Sequence, residues 1–341
     1  MLSRFKSAAR VLIKGDSKKN KRNPIPSITT EEVAEIKQFF SREKFFIFGH
    51  ARSGTTLLMR LARLHPEVHC NYQAHFFTRQ PLLKSLVNTP EAEEWLGRKS
   101  NRWNQGRDLS PLVLRAAADF IMERDAAKEG KRIVGDKSPS STIHGQAVRD
   151  VHSVYPDAKL VYIVRDGRDV LISERFRNLV EESKFLKAED NHIIEELRKD
   201  QAPFTNGTRS IFTESVIRRV AAGWVKNLQE TEDEGRRLFG DNYYGMRYED
   251  LLARPFDEMQ KLWEFLGVQA DQSLEKLIAD EMSSNPDEEW QAKRNEDISS
   301  FLPKGQAGNW QRLFTGRDKA IFKGVAGEML IRWKYEKDLN W

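Results

Sequence analysis

The stretch Phe45-Phe-Ile-Phe-Gly-His-Ala-Arg-Ser-Gly-Thr-Thr-Leu-Leu-Met59 decides the fold of this 341-residue chain. Its first four residues are all apolar, which is the pattern of a short strand buried on both faces. A tight turn runs from Gly49 to Gly54, and Thr55 begins a segment whose leucines recur at helical spacing. A strand, a glycine turn and a helix in this order present backbone N–H groups and the positive end of a helix dipole to an anion. The sequence therefore predicts a phosphate-binding loop.

The loop has the spacing Gly49-x-x-x-x-Gly54-Thr55-Thr56, which differs from the loop of nucleotide triphosphatases at one position. Thr55 stands where those enzymes carry the lysine that contacts the β- and γ-phosphates. We therefore expect an anion with less charge than a triphosphate, and no metal. A tight turn without a ligand is the alternative, but the Arg-Ser-Gly-Thr-Thr run and the following helix favour a binding loop.

Apolar runs that alternate with helical segments predict an α/β fold, with a P-loop NTPase-like parallel sheet flanked by helices in a single domain. Further strands are expected at residues 133–139, 159–164 and 243–249, and helices at 110–130, 140–155, 213–240, 255–267 and 316–333. Ligands of such sheets bind beyond the carboxyl ends of the strands. Loop 49–54 and segments 135–139 and 165–173 are therefore expected to meet at one edge.

The domain is expected to span residues 29–341, after a basic tail and linker of residues 1–28. Residues 1–22 hold eight Lys/Arg and one Asp, so this tail carries a charge of +7 and leaves −2 for the other 319 residues. Such a distribution argues against a nucleic-acid-binding face. Apolar residues at helical spacing in residues 1–14 indicate either peripheral contact with an anionic membrane or a leader that packs on the domain.

Residues 177–210 are rich in charged residues and poor in apolar ones, so we expect a solvated insertion or a lid over the cleft. The single cysteine, Cys70, excludes an internal disulfide and favours a reducing compartment. No run of 18 apolar residues is present, so no transmembrane helix is expected. We expect a soluble, cytoplasmic and bacterial protein, with contact to the inner membrane surface through residues 1–22 as an option.

Four segments resemble the sulfotransferases that use 3'-phosphoadenosine 5'-phosphosulfate (PAPS). Arg52-Ser-Gly-Thr-Thr-Leu57 is similar to the family's loop for the 5'-phosphosulfate, and Val164 to Ser173 resembles its 3'-phosphate segment. Arg247-Tyr-Glu-Asp-Leu251 resembles a strand whose tyrosine lies near the nucleotide, and Lys304 to Trp310 resembles the loop over the adenosine. The segments follow the family's order. Residues 65–70 and 135–139 are similar to its tyrosylprotein and bacterial carbohydrate-type branch.

The resemblance implies transfer of a sulfuryl group from PAPS to an acceptor hydroxyl by in-line displacement, with 3'-phosphoadenosine 5'-phosphate (PAP) as the product. Arg52 and Lys137 are expected to stabilise the charge that develops on the leaving phosphate. The alternative for Arg165 and Arg168 is a structural ion pair with the neighbouring aspartates. The predicted nucleotide contacts are Arg52, Ser53, Gly54, Thr55, Thr56, Leu57, Arg165, Ser173, Tyr248, Lys304 and Gly305.

The acceptor hydroxyl also needs a base, and here the sequence departs from the family's pattern. Gln73 stands where many members carry a glutamate, and an amide cannot take a proton. His75 is the predicted base, because an unperturbed imidazole titrates near neutral pH. The alternative is a structural histidine packed beside Phe76 and Phe77.

Other functions remain open from the sequence. A nucleotide kinase or triphosphatase would have a similar core, although Thr55 argues against it. A catalytically inactive nucleotide-binding protein would account for Gln73, and a membrane-surface adaptor would account for the basic tail. The acceptor is left open among carbohydrate, lipid, small-molecule and tyrosine hydroxyls.

Overall fold

A single sheet of five parallel strands forms the centre of the computed structural model, which describes residues 23–79, 83–142, 145–180, 186–284 and 306–341. The strands lie in the order β2-β3-β1-β4-β5, and each neighbouring pair is parallel. Their bounds are β1 Glu43–Gly49, β2 Val68–Tyr72, β3 Ile133–Lys137, β4 Lys159–Val164 and β5 Tyr243–Arg247. The predicted parallel α/β sheet is confirmed.

Helices pack on both faces of this sheet. In chain order they are α1 Thr30–Lys37, α2 Thr55–Ala62, α3 Pro90–Gly97, α4 Ser110–Lys128, α5 Gly145–Val154, α6 Gly167–Val180, α7 Ala188–Lys199, α8 Ala202–Thr205, α9 Glu214–Phe239, α10 Tyr248–Ala253, α11 Pro255–Leu266, α12 Leu274–Ser283, α13 Trp310–Leu313 and α14 Gly316–Arg332. Among the described residues, no helix has the length and apolar character needed to cross a membrane.

The two faces of β1 belong to two separate cores, because successive residues of a strand point to opposite sides. Phe45 and Ile47 pack in a core with residues of α2 and α11, whereas Phe46 and Phe48 pack in a larger core with residues of α4, α5 and α9. All four side chains are buried. The uninterrupted apolar run in the sequence is therefore the consequence of a strand covered on both faces.

Local capping signals set several helix ends. Thr29 caps α1 in a reciprocal capping box with Glu32, and Gly267 ends α11 in the left-handed conformation with a φ of 92°. One boundary differs from its prediction. The strand expected over residues 243–249 ends at Arg247, and Tyr248 is the first residue of α10.

Residues 186–210 are better packed than their composition predicts. Ile194, Leu197 and Phe204 are buried in the larger core, and the buried side chains of Arg175 and Asp190 form an ion pair of 2.7 Å. A few apolar side chains therefore anchor this segment to the core, while most of its other side chains are exposed or half-buried, as the composition predicts. Residues 181–185 of the predicted lid, like the basic tail 1–22, lie outside the described residues, and the lid role stays a prediction.

Candidate functional site

The loop between β1 and α2 is closed by a glycine that no other residue could replace without strain. Gly54 has a φ of 85°, and a Cβ at this position would lie 2.2 Å from the ring of Tyr248. Only glycine adopts this conformation readily, and only glycine leaves room for the ring. Gly54 is therefore required both by the turn and by the close approach of Tyr248, which places that side chain beside the loop.

The hydroxyl side chains of the loop and of the first turn of α2 differ in whether they have a hydrogen-bond partner. Ser53 and Thr55 are buried, and Ser53 Oγ has no hydrogen-bond partner in the described part of the chain. Thr56 Oγ1 accepts a hydrogen bond of 3.2 Å from Lys137. Leu57 packs against the smaller core, so it could serve a ligand only through its backbone. A buried hydroxyl without a partner is costly unless a ligand completes it.

Lys137 brings a buried positive charge to this loop. It is the last residue of β3 and is fully buried. Its Nζ also lies 3.8 Å from the ring centroid of Tyr72, and Lys137 forms no ion pair with any of the residues that the structure describes. Burial lowers the pKa of Lys137 to about 8. A cation held without a carboxylate partner is suited to an anionic ligand.

The 3'-phosphate segment predicted from the sequence contacts the loop directly. Arg52 Nε donates to Ser173 Oγ over 3.0 Å, and Arg165 donates to the Arg52 carbonyl over 3.1 Å. The guanidinium of Arg165 lies 5.0 Å from the ring centroid of Tyr248, and its buried Nε finds no hydrogen-bond partner among the residues that the structure describes. The structure thus brings Arg52, Arg165, Ser173 and Tyr248 together at one edge of the sheet.

The two arginines of the Arg-Asp-Gly-Arg-Asp run have different surroundings. Arg168 pairs with Asp166 at 2.7 Å and with Glu336, so the structural alternative holds for it. Arg165 forms no ion pair in the described part of the chain, and its terminal nitrogens donate to backbone carbonyls instead. Arg165 is consequently the arginine that an anion could engage.

A short loop before α14 closes against the same segment. Asp169 accepts hydrogen bonds from the amides of Gly308, over 2.6 Å, and Trp310, over 3.1 Å. Arg168 lies 3.6 Å from the ring centroid of Trp310, and Arg165 donates to the Gln306 carbonyl over 2.9 Å. Two predicted contacts of this loop, Lys304 and Gly305, lie outside the described residues.

His75, the predicted base, is buried in the segment that follows β2. Its Nδ1 lies 2.8 Å from Thr78 Oγ1, and its Nε2 is buried without a hydrogen-bond partner among the described residues. Burial, with smaller effects from the charges of Arg79 and Lys137, lowers the pKa of His75 to about 4. The imidazole is therefore neutral at neutral pH and is a weaker base than the sequence suggested. Its neighbours Phe76 and Phe77 are core residues.

Sequence reasoning missed two polar residues on either side of Lys137. Asp136 and Ser138 are both buried, Ser138 donates to the Asp136 carboxylate, and both accept hydrogen bonds from backbone amides after β2. Burial raises the pKa of Asp136 to about 6. Their place at the carboxyl end of a buried strand was the available signal.

Comparison with known proteins identifies the family. A family model described as "Sulfotransferase family" matches residues 44–272. Protein-tyrosine sulfotransferase A of Caenorhabditis elegans is 26% identical over 253 residues, which cover 72% of this chain and 56% of the relative. Protein-tyrosine sulfotransferase of Drosophila melanogaster is 25% identical over 225 residues, which cover 65% and 38%. The chain thus spans about half or less of the length of these relatives.

Solved structures with a similar architecture include mouse sulfotransferase SULT7A1 complexed with PAP, with a TM-score of 0.46 and 16% identity over 91% of this chain and 94% of that one. A retinol dehydratase in complex with androsterone and PAP has a TM-score of 0.45 and 15% identity over 88% of this chain and 85% of that one. The family model spans well over half of the sequence. The chain therefore belongs to the sulfotransferase family.

Proposed function

We propose that this protein transfers a sulfuryl group from PAPS to an acceptor hydroxyl. The observation that carries the proposal is the direct contact between the anion loop and the 165–173 segment, through Arg52, Ser173 and Arg165. The loop is suited to the 5'-phosphosulfate, and Arg165 with Ser173 is suited to the 3'-phosphate, since a guanidinium can bind a phosphate bidentately. The names of the relatives, two protein-tyrosine sulfotransferases, support the same chemistry.

Ser53 Oγ and Arg165 Nε are buried and have no partner within the described ranges of the chain, which fits a nucleotide donor with phosphates at both ends. Tyr248 lies against both Gly54 and Arg165, so its ring would border the ribose between them. Lys304 and Gly305 stay predicted contacts of the adenosine. A kinase or triphosphatase is disfavoured because Thr55 replaces the lysine that serves a triphosphate.

Sulfuryl transfer resembles phosphoryl transfer, in which the enzyme contributes mainly positioning and charge stabilisation. The bond from sulfur to the bridging oxygen breaks while the acceptor oxygen approaches from the opposite side, and negative charge grows on the leaving phosphate. Lys137 donates to Thr56 at the start of α2, and Arg52 is a residue of the loop itself whose side chain donates to Ser173. These two cations and the loop amides would stabilise that charge.

We further propose that the acceptor is a phenolic hydroxyl such as that of tyrosine, with His75 as its base. Proton uptake at Nε2 requires the tautomer in which Nδ1–H donates to Thr78. With a pKa of about 4, His75 is a weak base, and a phenol with an ordinary pKa of about 10 is far more acidic than an aliphatic alcohol. A weak base and the nearby cation Lys137 therefore suit a phenol better than a sugar hydroxyl.

Labelled PAPS tests both parts of the proposal. The full chain is incubated with ³⁵S-PAPS and a tyrosine-containing acidic peptide, its phenylalanine counterpart or an oligosaccharide. We expect label on the tyrosine peptide only, with release of PAP. Label on the oligosaccharide alone would contradict the phenolic acceptor, and absence of PAPS binding would contradict the function.

A matched pair of arginine variants tests the nucleotide site. Loss of a hydrogen bond to a charged group costs about 1.5–3 kcal/mol, so Arg165→Ala should weaken PAPS binding at least about tenfold in calorimetry. Arg218→Ala, on the exposed face of α9 with an ion pair to Glu214, should leave the dissociation constant unchanged. Equal affinity in both variants would place the 3'-phosphate elsewhere.

The bacterial source and the cytoplasmic location of the protein stay predictions.

A further inference from the structure

Three consecutive backbone amides after β2 are bound by the end of β3. Gln73 donates to the carbonyl of Lys137 over 2.9 Å. Ala74 donates to Asp136 Oδ1 over 2.9 Å, and His75 donates to Ser138 Oγ over 2.8 Å. A strand pair needs only backbone partners, but here two of the three acceptors are side chains.

The segment held in this way has an unusual backbone. Gln73 and His75 have φ values of 58° and 56° and are therefore left-handed, although neither is glycine. Side chains with a Cβ rarely adopt this conformation, and it persists only where surrounding contacts enforce it. The three hydrogen bonds supply that enforcement at the residues on which the predicted base chemistry rests.

The two side-chain acceptors form one unit. The Ser138 hydroxyl accepts from His75 and donates to Asp136 Oδ2, while Oδ1 of the same carboxylate accepts from Ala74. Both residues are 1% exposed, so water cannot replace a lost bond. Removing either side chain would leave a backbone amide or a carboxylate oxygen buried without its partner.

We propose that Asp136 and Ser138 are positioning residues for sulfuryl transfer, which hold residues 73–75 in the left-handed turn that fixes the His75 imidazole relative to Lys137. They act through the backbone and do not touch the reacting atoms. Lys137 lies between them in sequence on β3, so one strand end carries the buried cation and also holds the base segment. The inference rests on the proposed function for the role of His75, but the constraint of residues 73–75 by these hydrogen bonds can be measured without any activity.

Substitutions at Ser138 separate positioning from general stability. Ser138→Ala removes the hydroxyl, and Ser138→Thr keeps it. Ser140→Ala is the control, at a half-buried serine two residues further on whose hydroxyl bonds Thr142 instead of residues 73–75. We expect Ser138→Ala to lower the single-turnover rate of transfer from ³⁵S-PAPS to the tyrosine peptide at least about tenfold, since a lost buried hydrogen bond has effects of this order. The PAPS dissociation constant should stay within about twofold, because the substitution keeps Lys137 and the other proposed nucleotide contacts lie on other elements. Ser138→Thr should retain most of the rate, and Ser140→Ala all of it.

Hydrogen exchange measures how tightly residues 73–75 are constrained, and it needs no acceptor. In the PAP-bound protein, the peptide that covers residues 72–79 should exchange at least about tenfold faster in Ser138→Ala and in the isosteric Asp136→Asn than in the wild type. Protection of loop 49–56 should not change. If Ser138→Ala does not fold, the transfer rate and the hydrogen exchange are both measured on Asp136→Asn, with Ser138→Thr for comparison.

Unchanged exchange in both variants would overturn the proposal, as would parallel loss of PAPS affinity and rate, which indicates a structural role only. Failure of Ser138→Thr to restore the rate would also count against it. A wild type that binds PAPS but transfers to none of the acceptors would instead contradict the proposed function, and exchange would still decide whether residues 136 and 138 hold the turn.

Discussion

Replacement of Lys137 by methionine should make the protein more stable and nearly inactive. Lys137 is fully buried without an ion pair among the described residues, and burial lowers its pKa from 10.5 to about 8. At 1.36 kcal/mol for each unit of pKa, the charged form costs the folded protein about 3 kcal/mol at neutral pH. Methionine keeps an unbranched side chain, one heavy atom shorter, and removes the charge.

The net increase in the free energy of unfolding should be smaller than this value. Solvent screens part of the charge, and the variant also loses the hydrogen bond from Lys137 to Thr56, worth about 1 kcal/mol. We therefore expect Lys137→Met to raise the free energy of unfolding by about 1–2 kcal/mol, or Tm by roughly 2–6 °C. Transfer should fall by about 10²–10³, the effect of removing one group that stabilises transition-state charge.

The pH dependence gives this prediction a sign. The folded pKa is lowered, so the unfolded chain binds more protons than the folded one between about pH 8 and 10.5, and wild-type stability rises with pH in that window. The stability advantage of Lys137→Met should be full below pH 8 and shrink towards pH 10.5. Thermal unfolding without ligand at several pH values measures it, together with the labelled-peptide assay.

Lys226→Met provides the control. Lys226 is exposed on α9, with only a 3.8 Å contact to Glu230, so Tm and activity should both remain at wild-type values. A Lys137→Met variant that is less stable than the wild type would refute the view that the site holds its cation at the expense of stability. Wild-type activity in the same variant would refute its role in transfer.

Two further predictions concern the base and the loop. His75→Ala should lower kcat at least about a hundredfold while PAPS still binds, and unchanged turnover would remove His75 from the mechanism. In the wild type, kcat/KM should fall on the acid side only as the pH approaches about 4, where His75 takes up a proton. Gly54→Ala would place a Cβ 2.2 Å from the Tyr248 ring at a φ of 85°, so calorimetry should find PAPS affinity reduced more than about tenfold and Tm lowered. Gly223→Ala meets no atom within 4 Å in α9 and should instead raise stability by up to about 1 kcal/mol; wild-type affinity in Gly54→Ala would show that the loop tolerates a side chain.

Some structural expectations failed because their outcome depends on contacts distant in sequence. The charged composition of residues 186–210 concealed three apolar side chains, Ile194, Leu197 and Phe204, that reach the larger core. Tyr248 begins α10, although the strand was expected to continue to residue 249 and tyrosine favours strands.

The sequence alone predicted β1, β3, β4 and β5, the glycine loop before α2 and the meeting of Arg52, Arg165 and Ser173, because strand periodicity and glycine turns are local signals and parallel strands end at a common edge. The strand β2 was not predicted. Only the tertiary structure decided which arginine stays available, since Arg168 is neutralised by Asp166 and by Glu336 from the far end of the chain. It also decided the low pKa of His75 and the hold that Asp136 and Ser138 exert on residues 73–75. Burial and left-handed backbone arise from neighbours that folding brings together, and no pattern along the chain records them.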